Sequence, residues 1–197
     1  MPADRSDLRR RLTALAARQS GYFTAAQALE VGYAYPAQRY HAERGNWIRV
    51  ERAIFRLPEW PSGRHDDLVR WSLWSRGKAV VSHETALVVH DLGDVNPERV
   101  HLTVPPGFKA KAPGAVLHRA VLLPGDVSEH EGFRVTTPLR TLLDVAAMPL
   151  EQGQLDRAVD DALERGLVSR KGLRNAVADC GPVAALAIER SLARVVE

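Results

Sequence analysis

Hydrophobic positions recur at helical spacing in three successive segments near the start of the chain. Residues 4–18 place leucines on one stripe and arginines mostly off it, which predicts a first helix. A second segment, Ala25–Val31, follows Thr24, which is suited to cap its start. A third, Tyr35–Arg44, carries Pro36 in its first turn, where a missing N–H costs nothing. We therefore expect three short helices in this part of the chain.

The pattern changes after Gly45, which is suited to end the third helix in a left-handed conformation. Apolar and polar residues alternate with period two over Trp47–Leu57, which predicts a β-hairpin with its turn near residues 51–53. Two short helices followed by such a hairpin are typical of a winged helix-turn-helix domain, expected here over residues 1–60. A stretch rich in Pro and Gly, residues 58–63, then predicts a domain boundary.

Residues 64–197 mix both patterns and are expected to form a second domain. Short runs rich in β-branched residues alternate with amphipathic segments of helix length. The predicted fold class is α+β: an N-terminal winged helix-turn-helix, followed by a C-terminal domain in which several helices pack on a small β-sheet. The predicted strands are 100–104, 115–119 and 133–135, and the predicted helices are 66–75, 84–90, 138–147, 155–165, 171–178 and 183–195.

Positive charge is concentrated in the segment with the winged-helix pattern. The net charge is only +3, but residues 1–63 hold ten arginines against six acids, a charge of +4, and the rest holds 17 bases against 18 acids. Such local charge favours binding to nucleic-acid phosphates; an Arg-rich solvated surface is the alternative. The lone Cys180 excludes an intramolecular disulfide, and no apolar run reaches membrane-spanning length, so we expect a cytoplasmic location.

The third helix supplies the candidates for contacts to DNA bases. Exposed side chains near the start of a recognition helix meet base edges, where Gln pairs with adenine and Arg with guanine. Two inner faces are compatible with the sequence. One runs through Ala37, His41 and Arg44; the other runs through Gln38, His41 and Ala42 and half-buries Gln38. His41 is a packing residue in both. The predicted base contacts are Tyr35, Gln38, Arg39 and Tyr40.

The hairpin and the first helix supply the candidates for phosphate contacts. Arg52 lies near the predicted hairpin tip and is the best placed. For Arg56 the alternative is that its stem covers apolar strand surface. For Arg9 and Arg10 the alternative is a solvated helix surface. The predicted phosphate contacts are Arg49, Arg52, Arg56, Arg9 and Arg10, and the hairpin is expected to pack through Trp47, Ile48, Ile54, Phe55 and Leu57.

No motif indicates catalysis or a metal site. His83-Glu84 is followed by Thr, Ala and Leu, so the His-Glu-x-x-His spacing of a zinc enzyme is not met. Metal-dependent nucleases often place an acid two positions before a lysine, and none of the four lysines has one. Neither a phosphate-binding loop nor a serine-nucleophile elbow is found. We therefore expect no enzyme activity, no catalytic residue, no metal and no cofactor, with structural roles for the histidines.

Five stretches of the sequence resemble the AbiEi-type antitoxins, the regulatory halves of type IV toxin–antitoxin systems. They are Phe23–Leu29, Gly45–Leu57, Ser82–Leu87, Val100–Pro105 and Phe133–Asp144, in order over nearly the whole chain. The resemblance implies a bacterial winged-helix protein that represses its own operon by binding promoter inverted repeats. It also implies antagonism of a nucleotidyltransferase toxin encoded beside it, by direct binding or indirectly.

Two positions depart from that family. The hairpin turn usually carries Gly where this chain has Ala53, so a positive φ there would cost about 1 kcal/mol. The third helix usually begins with a hydroxyl-bearing residue, where this chain has Ala34. These departures concern the geometry of the turn and the cap rather than the fold.

Two other functions compete with that of an antitoxin. In the first, a winged-helix regulator senses a ligand through its second domain. The second is a DNA-targeted nuclease, which lacks the motifs described above. One winged helix makes too few contacts for a specific operator, so we expect a monomer or weak dimer with two copies paired on an inverted repeat. A ligand pocket or a plain core would be formed by Trp71, Trp74, His83 and His101.

Overall fold

The structure, a computed structural model, describes residues 4–178 and 180–194, which form two compact units. The first contains the described residues up to Gly77 together with His130–Phe133; the second contains Lys78–Glu129 and those from Arg134 onward. The sequence placed the boundary earlier, at residues 58–63. The elements of the first unit are α1 (Arg5–Ala17), β1 (Tyr22–Thr24), α2 (Ala25–Val31), α3 (Tyr35–Glu43), β2 (Ile48–Glu51), β3 (Ile54–Arg56) and α4 (Asp66–Trp74).

Local sequence explains where the first helices begin and end. The side chain of Asp4 caps α1. Thr24 caps α2 in a reciprocal arrangement with Gln27, which satisfies two backbone N–H groups. Between α2 and α3 the chain turns at Gly32, whose φ of 122° is a conformation that residues with a Cβ rarely adopt; a Cβ there would also press on the end of the Leu8 side chain. The turn between the two helices therefore favours glycine.

A three-stranded antiparallel sheet in the order β1-β3-β2 packs on these helices. Phe23 pairs with Phe55, and Phe55 pairs with Arg49, so these residues share one face of the sheet. On that face the Phe23 ring meets Trp47 edge to face at 4.9 Å and stacks on Phe55 at 5.7 Å. Ile48 was expected to be buried, but it is 46% exposed. It lies on the edge strand β2 and on the opposite face.

The second unit is mixed α+β, with a five-stranded sheet in the order β6-β5-β4-β8-β7. Strand β4 is antiparallel to β5 and parallel to β8, and β5 is parallel to β6. The elements are β4 (Val80–Val81), α5 (His83–His90), β5 (Val100–Val104), β6 (Ala115–Arg119), β7 (Val127–His130), β8 (Phe133–Thr136), α6 (Pro138–Ala146), α7 (Gln152–Glu164), α8 (Arg170–Val177) and α9 (Pro182–Arg194).

Helices α5 to α9 enclose the apolar core of the second unit, in which Leu87, Leu142 and Ile188 are fully buried. A buried carboxylate, Asp156, joins α7 to α9 by accepting hydrogen bonds from the Ser191 hydroxyl and the Arg194 guanidinium. Burial alone would raise the pKa of Asp156, but the hydrogen bonds to its charged form keep that pKa below its usual value. The ionised carboxylate is therefore compatible with this position.

Most elements predicted from the sequence are present, and the differences lie at short strands and at element ends. Strands β1, β4 and β7 were missed because runs of two to four residues are too short for alternation to be recognised. Helix α7 begins three residues earlier than expected. The predicted end of the last helix, Val195, lies outside the described residues. No helix within residues 4–178 and 180–194 is long and apolar enough to cross a membrane.

Candidate nucleic-acid interface

Gln38 sets the rotation of α3 about its axis. Its side chain is only 3% exposed, and its amide donates hydrogen bonds to the carbonyls of Ala25 (3.0 Å) and Tyr33 (2.8 Å). The inner face of α3 is therefore the second of the two considered, through Gln38, His41 and Ala42. The structure therefore gives Gln38 a packing role, and we no longer include it among the candidate base contacts, because its amide is buried and occupied by backbone carbonyls.

His41 holds the same face of α3 from its other end. The imidazole stacks on the Trp47 ring at 4.8 Å and meets Tyr33 edge to face at 5.3 Å. Burial lowers the pKa of His41, which favours the neutral ring in this aromatic environment. His41 is thus a packing residue, as the sequence indicated.

The outward face of α3 carries the other three predicted base contacts. Tyr35 and Tyr40 are 64% and 54% exposed, and the Arg39 side chain is 79% exposed. The Arg39 Nε donates to Glu43 Oε1 at 2.7 Å, and the Arg44 guanidinium lies 5.5 Å from the centre of the Tyr40 ring. Sequence reasoning missed Glu43 and Arg44. The four-residue spacing between Arg39 and Glu43 was the available signal.

At the hairpin turn, Ala53 has a φ of 62°, a left-handed conformation that glycine adopts without strain. Its carbonyl accepts a hydrogen bond from the Ala25 N–H at 2.9 Å, which ties the turn to the start of α2. Arg52, next to it, is exposed at the tip. Arg49 is also exposed, with its guanidinium 5.6 Å from the Phe55 ring centre. Both arginines are open to solvent on the hairpin.

Arg56 has a structural role, and we no longer include it among the candidate phosphate contacts. Its side chain is only 14% exposed and forms an ion pair with Asp66 of α4 at 2.8 Å. The same guanidinium donates to the Pro61 carbonyl at 2.9 Å and lies 5.2 Å from the centre of the Tyr22 ring. The Arg56 guanidinium is therefore already paired and is not available to a phosphate.

Glu51, the acidic residue of the hairpin, is also neutralised by an ion pair with α4. Glu51 accepts a hydrogen bond from Arg70 of α4, and Arg70 also pairs with Asp67 at 2.7 Å. Both Arg70 and Glu51 are partly buried, so this pair is held more firmly than a surface pair. Arg49 and Arg52 therefore dominate the charge of the exposed part of the hairpin.

Arg9 and Arg10 of α1 are exposed and lie near acids. Arg9 approaches Glu59 at 3.8 Å, and Arg10 pairs with Asp7 at 2.5 Å. Surface pairs of this kind contribute little and exchange readily with solvent. The structure thus leaves both guanidinium groups accessible but partly balanced, so they are weaker candidates than Arg52.

Histidines of the second unit form a cluster of their own. The rings of His83 and His118 stack at 3.5 Å, and His118 Nε2 lies 3.2 Å from His101 Nδ1. His83 Nδ1 is hydrogen-bonded to Ser82 Oγ at 2.9 Å, and His101 Nε2 lies 3.4 Å from Glu84. Burial lowers the pKa of His83 to about 3 and that of His118 to about 4. Among the described residues, no group of three or more His, Cys, Asp or Glu is arranged to hold a metal ion.

The pocket considered for ligand sensing is not formed by the four residues named for it. Trp71 and Trp74 belong to the first unit, where their rings meet edge to face at 5.1 Å. His83 and His101 belong to the imidazole cluster of the second unit. The second unit does contain a cavity of about 530 Å³ beside Thr103, Leu123 and Arg134, but none of the four lines it.

A similar fold occurs among solved structures. Among solved structures, the chain is similar to the RV2827C protein from Mycobacterium tuberculosis, with a TM-score of 0.64 and 15% sequence identity. The similarity covers 98% of this chain and 78% of that one, and at this identity it shows the fold alone. The comparison with curated proteins finds no match.

The class that emerges is that of toxin–antitoxin proteins, on the antitoxin side. The AbiEi antitoxin C-terminal domain matches residues 79–193, more than half of the chain. The chain belongs to the AbiEi-type antitoxin family. The match begins at residue 79, and the second unit begins one residue earlier, at Lys78.

Proposed function

We propose that this protein is the antitoxin of a type IV toxin–antitoxin system, which counters a nucleotidyltransferase toxin encoded beside it and represses its own operon. Membership of the AbiEi-type family supports the antitoxin role. The family match does not by itself give the toxin class, the repression or the binding of promoter inverted repeats. These parts of the proposal rest on the first unit and on the resemblance of the sequence.

In this proposal the first unit is a winged helix-turn-helix. Its element order, α1-β1-α2-α3-β2-β3, and its three-stranded sheet support this assignment. Helix α3 would enter the major groove, and the β2–β3 hairpin would follow the phosphate backbone. The observation that carries the proposal is the placement of Tyr35, Arg39 and Tyr40 on the outward face of α3, with Arg49 and Arg52 exposed on the hairpin.

The proposed contacts to DNA fall into two groups, contacts to bases and contacts to phosphates. Arg39 would read a guanine, and Tyr35 and Tyr40 would contact base or sugar edges. Arg49 and Arg52 would contact phosphates, with Arg9 and Arg10 as outer contacts. Two copies on an inverted repeat would supply enough contacts for a specific operator. We propose no catalytic step and no cofactor for this role, which is performed in the cytoplasm.

DNA binding is tested with the full chain and a duplex from upstream of its own gene, titrated at several salt concentrations. We expect R39A to relax the preference at one base pair by about 1–3 kcal/mol. We expect R52A to weaken binding to all sequences and to reduce the salt slope by about one ion. The matched control is R157A, which removes an exposed arginine from the second unit. If both variants bind like R157A, the proposed interface is incorrect.

Neutralisation is tested by co-expressing the full chain with the product of the adjacent nucleotidyltransferase gene and scoring growth. The double variant R39A/R52A should lose repression of a promoter fusion but still rescue growth, because the residues that match the antitoxin domain are unchanged. If the double variant fails to rescue growth at an unchanged protein level, repression and neutralisation are not divided between the two units. An adjacent gene of another class would contradict the toxin assignment.

A further inference from the structure

Glu43 places a carboxylate on the outward face of α3, at the end of the helix. Successive helical positions rotate by about 100°, so Glu43 lies opposite the inner face defined by Gln38 and His41. Its side chain is 60% exposed. A negative charge at this position repels phosphates and disfavours DNA binding in general. The presence of a carboxylate on this surface therefore needs an explanation other than affinity for DNA.

Helix stability does not account for it. Glu43 is the last residue of α3, near the negative end of the helix dipole, where an acid is unfavourable. Its partner Arg39 precedes it by four residues, which is the less favourable order for such a pair. Both side chains are largely exposed, and an ion pair in solvent contributes little to stability. The pair is better explained by what it does to the Arg39 side chain.

The hydrogen bond is formed on one particular edge of the guanidinium. Glu43 Oε1 accepts from Arg39 Nε at 2.7 Å. In the described part of the chain, the two terminal nitrogens of Arg39 form no hydrogen bond, so the edge that they share faces solvent. Guanine presents two acceptors, O6 and N7, in the major groove, and a guanidinium edge fits them as a bidentate pair.

We propose that Glu43 is a positioning residue that fixes the Arg39 guanidinium so that its terminal edge meets a guanine. The inference rests on the proposed DNA-binding function and adds to it the residue that sets its selectivity. Holding the guanidinium by Nε removes part of the side-chain freedom that Arg39 would otherwise lose on binding. Selectivity for guanine is therefore gained, while attraction to phosphate in general is reduced.

The experiment selects bound sequences from a pool of duplexes with a randomised core, using the full chain. The variants are E43A, R39A and R39A/E43A, and the matched control is E30A, which removes an exposed acid of α2. We expect E43A to lose about five- to tenfold of the preference for guanine at the position that R39A also affects. The double variant should be no less selective than R39A alone. E43A should bind the unselected pool at least as tightly as E30A, with an unchanged or raised Tm.

Other outcomes overturn the inference. If E43A and E30A strengthen binding to all sequences equally and the guanine preference stays intact, Glu43 is only a repulsive charge. If E43A changes the preference at a different base pair from R39A, Glu43 reads a base itself. If E43A loses selectivity only together with a lowered Tm, the effect is structural. If the wild-type chain selects no sequence at low salt, the DNA-binding function itself is wrong, and the inference is overturned with it.

Discussion

At the scale of single residues, Ala53 shows how a local cost is tolerated for the sake of a turn. Its φ of 62° is the left-handed conformation, which a side chain with a Cβ adopts at a cost of about 1 kcal/mol. The hairpin that follows carries two residues of the core, Ile54 and Phe55. Packing of these two side chains holds the turn in a conformation that alanine disfavours.

The first prediction follows from this conformation. A53G should raise the free energy of unfolding by about 0.5–1 kcal/mol, because glycine adopts the left-handed region without strain. The measurement is a urea titration followed by tryptophan fluorescence, with the midpoint rising at an unchanged slope. The control is A26G, at an exposed position of α2, which should lower stability by about 1 kcal/mol. A loss of stability in A53G would show that the turn is not strained.

The same scale shows what sequence reasoning can and cannot provide. The cap at Thr24 was predicted, since capping depends on neighbours along the chain. The burial of Gln38 was left open, because two helical phases fit the sequence equally well. The ion pair of Arg56 was missed, because its partner Asp66 lies ten residues away in a helix beyond a Pro-rich segment.

At the scale of elements, α4 fastens the three-stranded sheet by two ion pairs. Asp66 pairs with Arg56 of β3, and Arg70 pairs with Glu51 of β2. The sequence assigned α4 to the second domain, because the Pro- and Gly-rich segment before it has the composition of a linker. Contacts between distant segments decided its place, and composition does not report them.

A second prediction concerns this attachment. R56A should lower the free energy of unfolding of the first unit by about 2–3 kcal/mol, because Asp66 loses its charged partner and two carbonyls lose a donor. Thermal unfolding measured by tryptophan fluorescence gives the change, and R52A serves as the control with an unaltered Tm. An R56A protein as stable as R52A would mean that the pair contributes nothing.

At the scale of the whole molecule, the two units differ in how they respond to acid. The histidine cluster lies in the second unit, where His83 stacks on His118, is hydrogen-bonded to Ser82, and is buried near the charges of His101 and Arg140. Its pKa is lowered to about 3 in the folded state, from an ordinary value of 6.5. Between these values the unfolded chain binds protons that the folded chain excludes, so stability falls as the pH falls below about 6.5.

The third prediction is a pH dependence that is steeper in the second unit than in the first. The free energy of unfolding of the second unit should fall by at least about 1.4 kcal/mol per pH unit between pH 6 and pH 5. H83N, with an asparagine that tolerates the φ of 54° at this position, should show a shallower dependence. Far-UV circular dichroism follows the helices of both units, whereas the tryptophans, at positions 47, 60, 71 and 74, report the first unit, so a loss of helix signal without a change in fluorescence belongs to the second unit. Equal slopes in H83N and wild type would contradict this origin of the pH dependence.

The attachment of α4 has a consequence for how this protein can be divided. A gene fragment that stops at residue 60 would lack both Asp66 and Arg70, so Arg56 and Glu51 would lose their partners together. The released carboxylate of Glu51 would then be exposed on the hairpin that we propose contacts DNA. If recombination exchanges the N-terminal segments of related proteins, we therefore expect the exchanged segment to extend through Gly77.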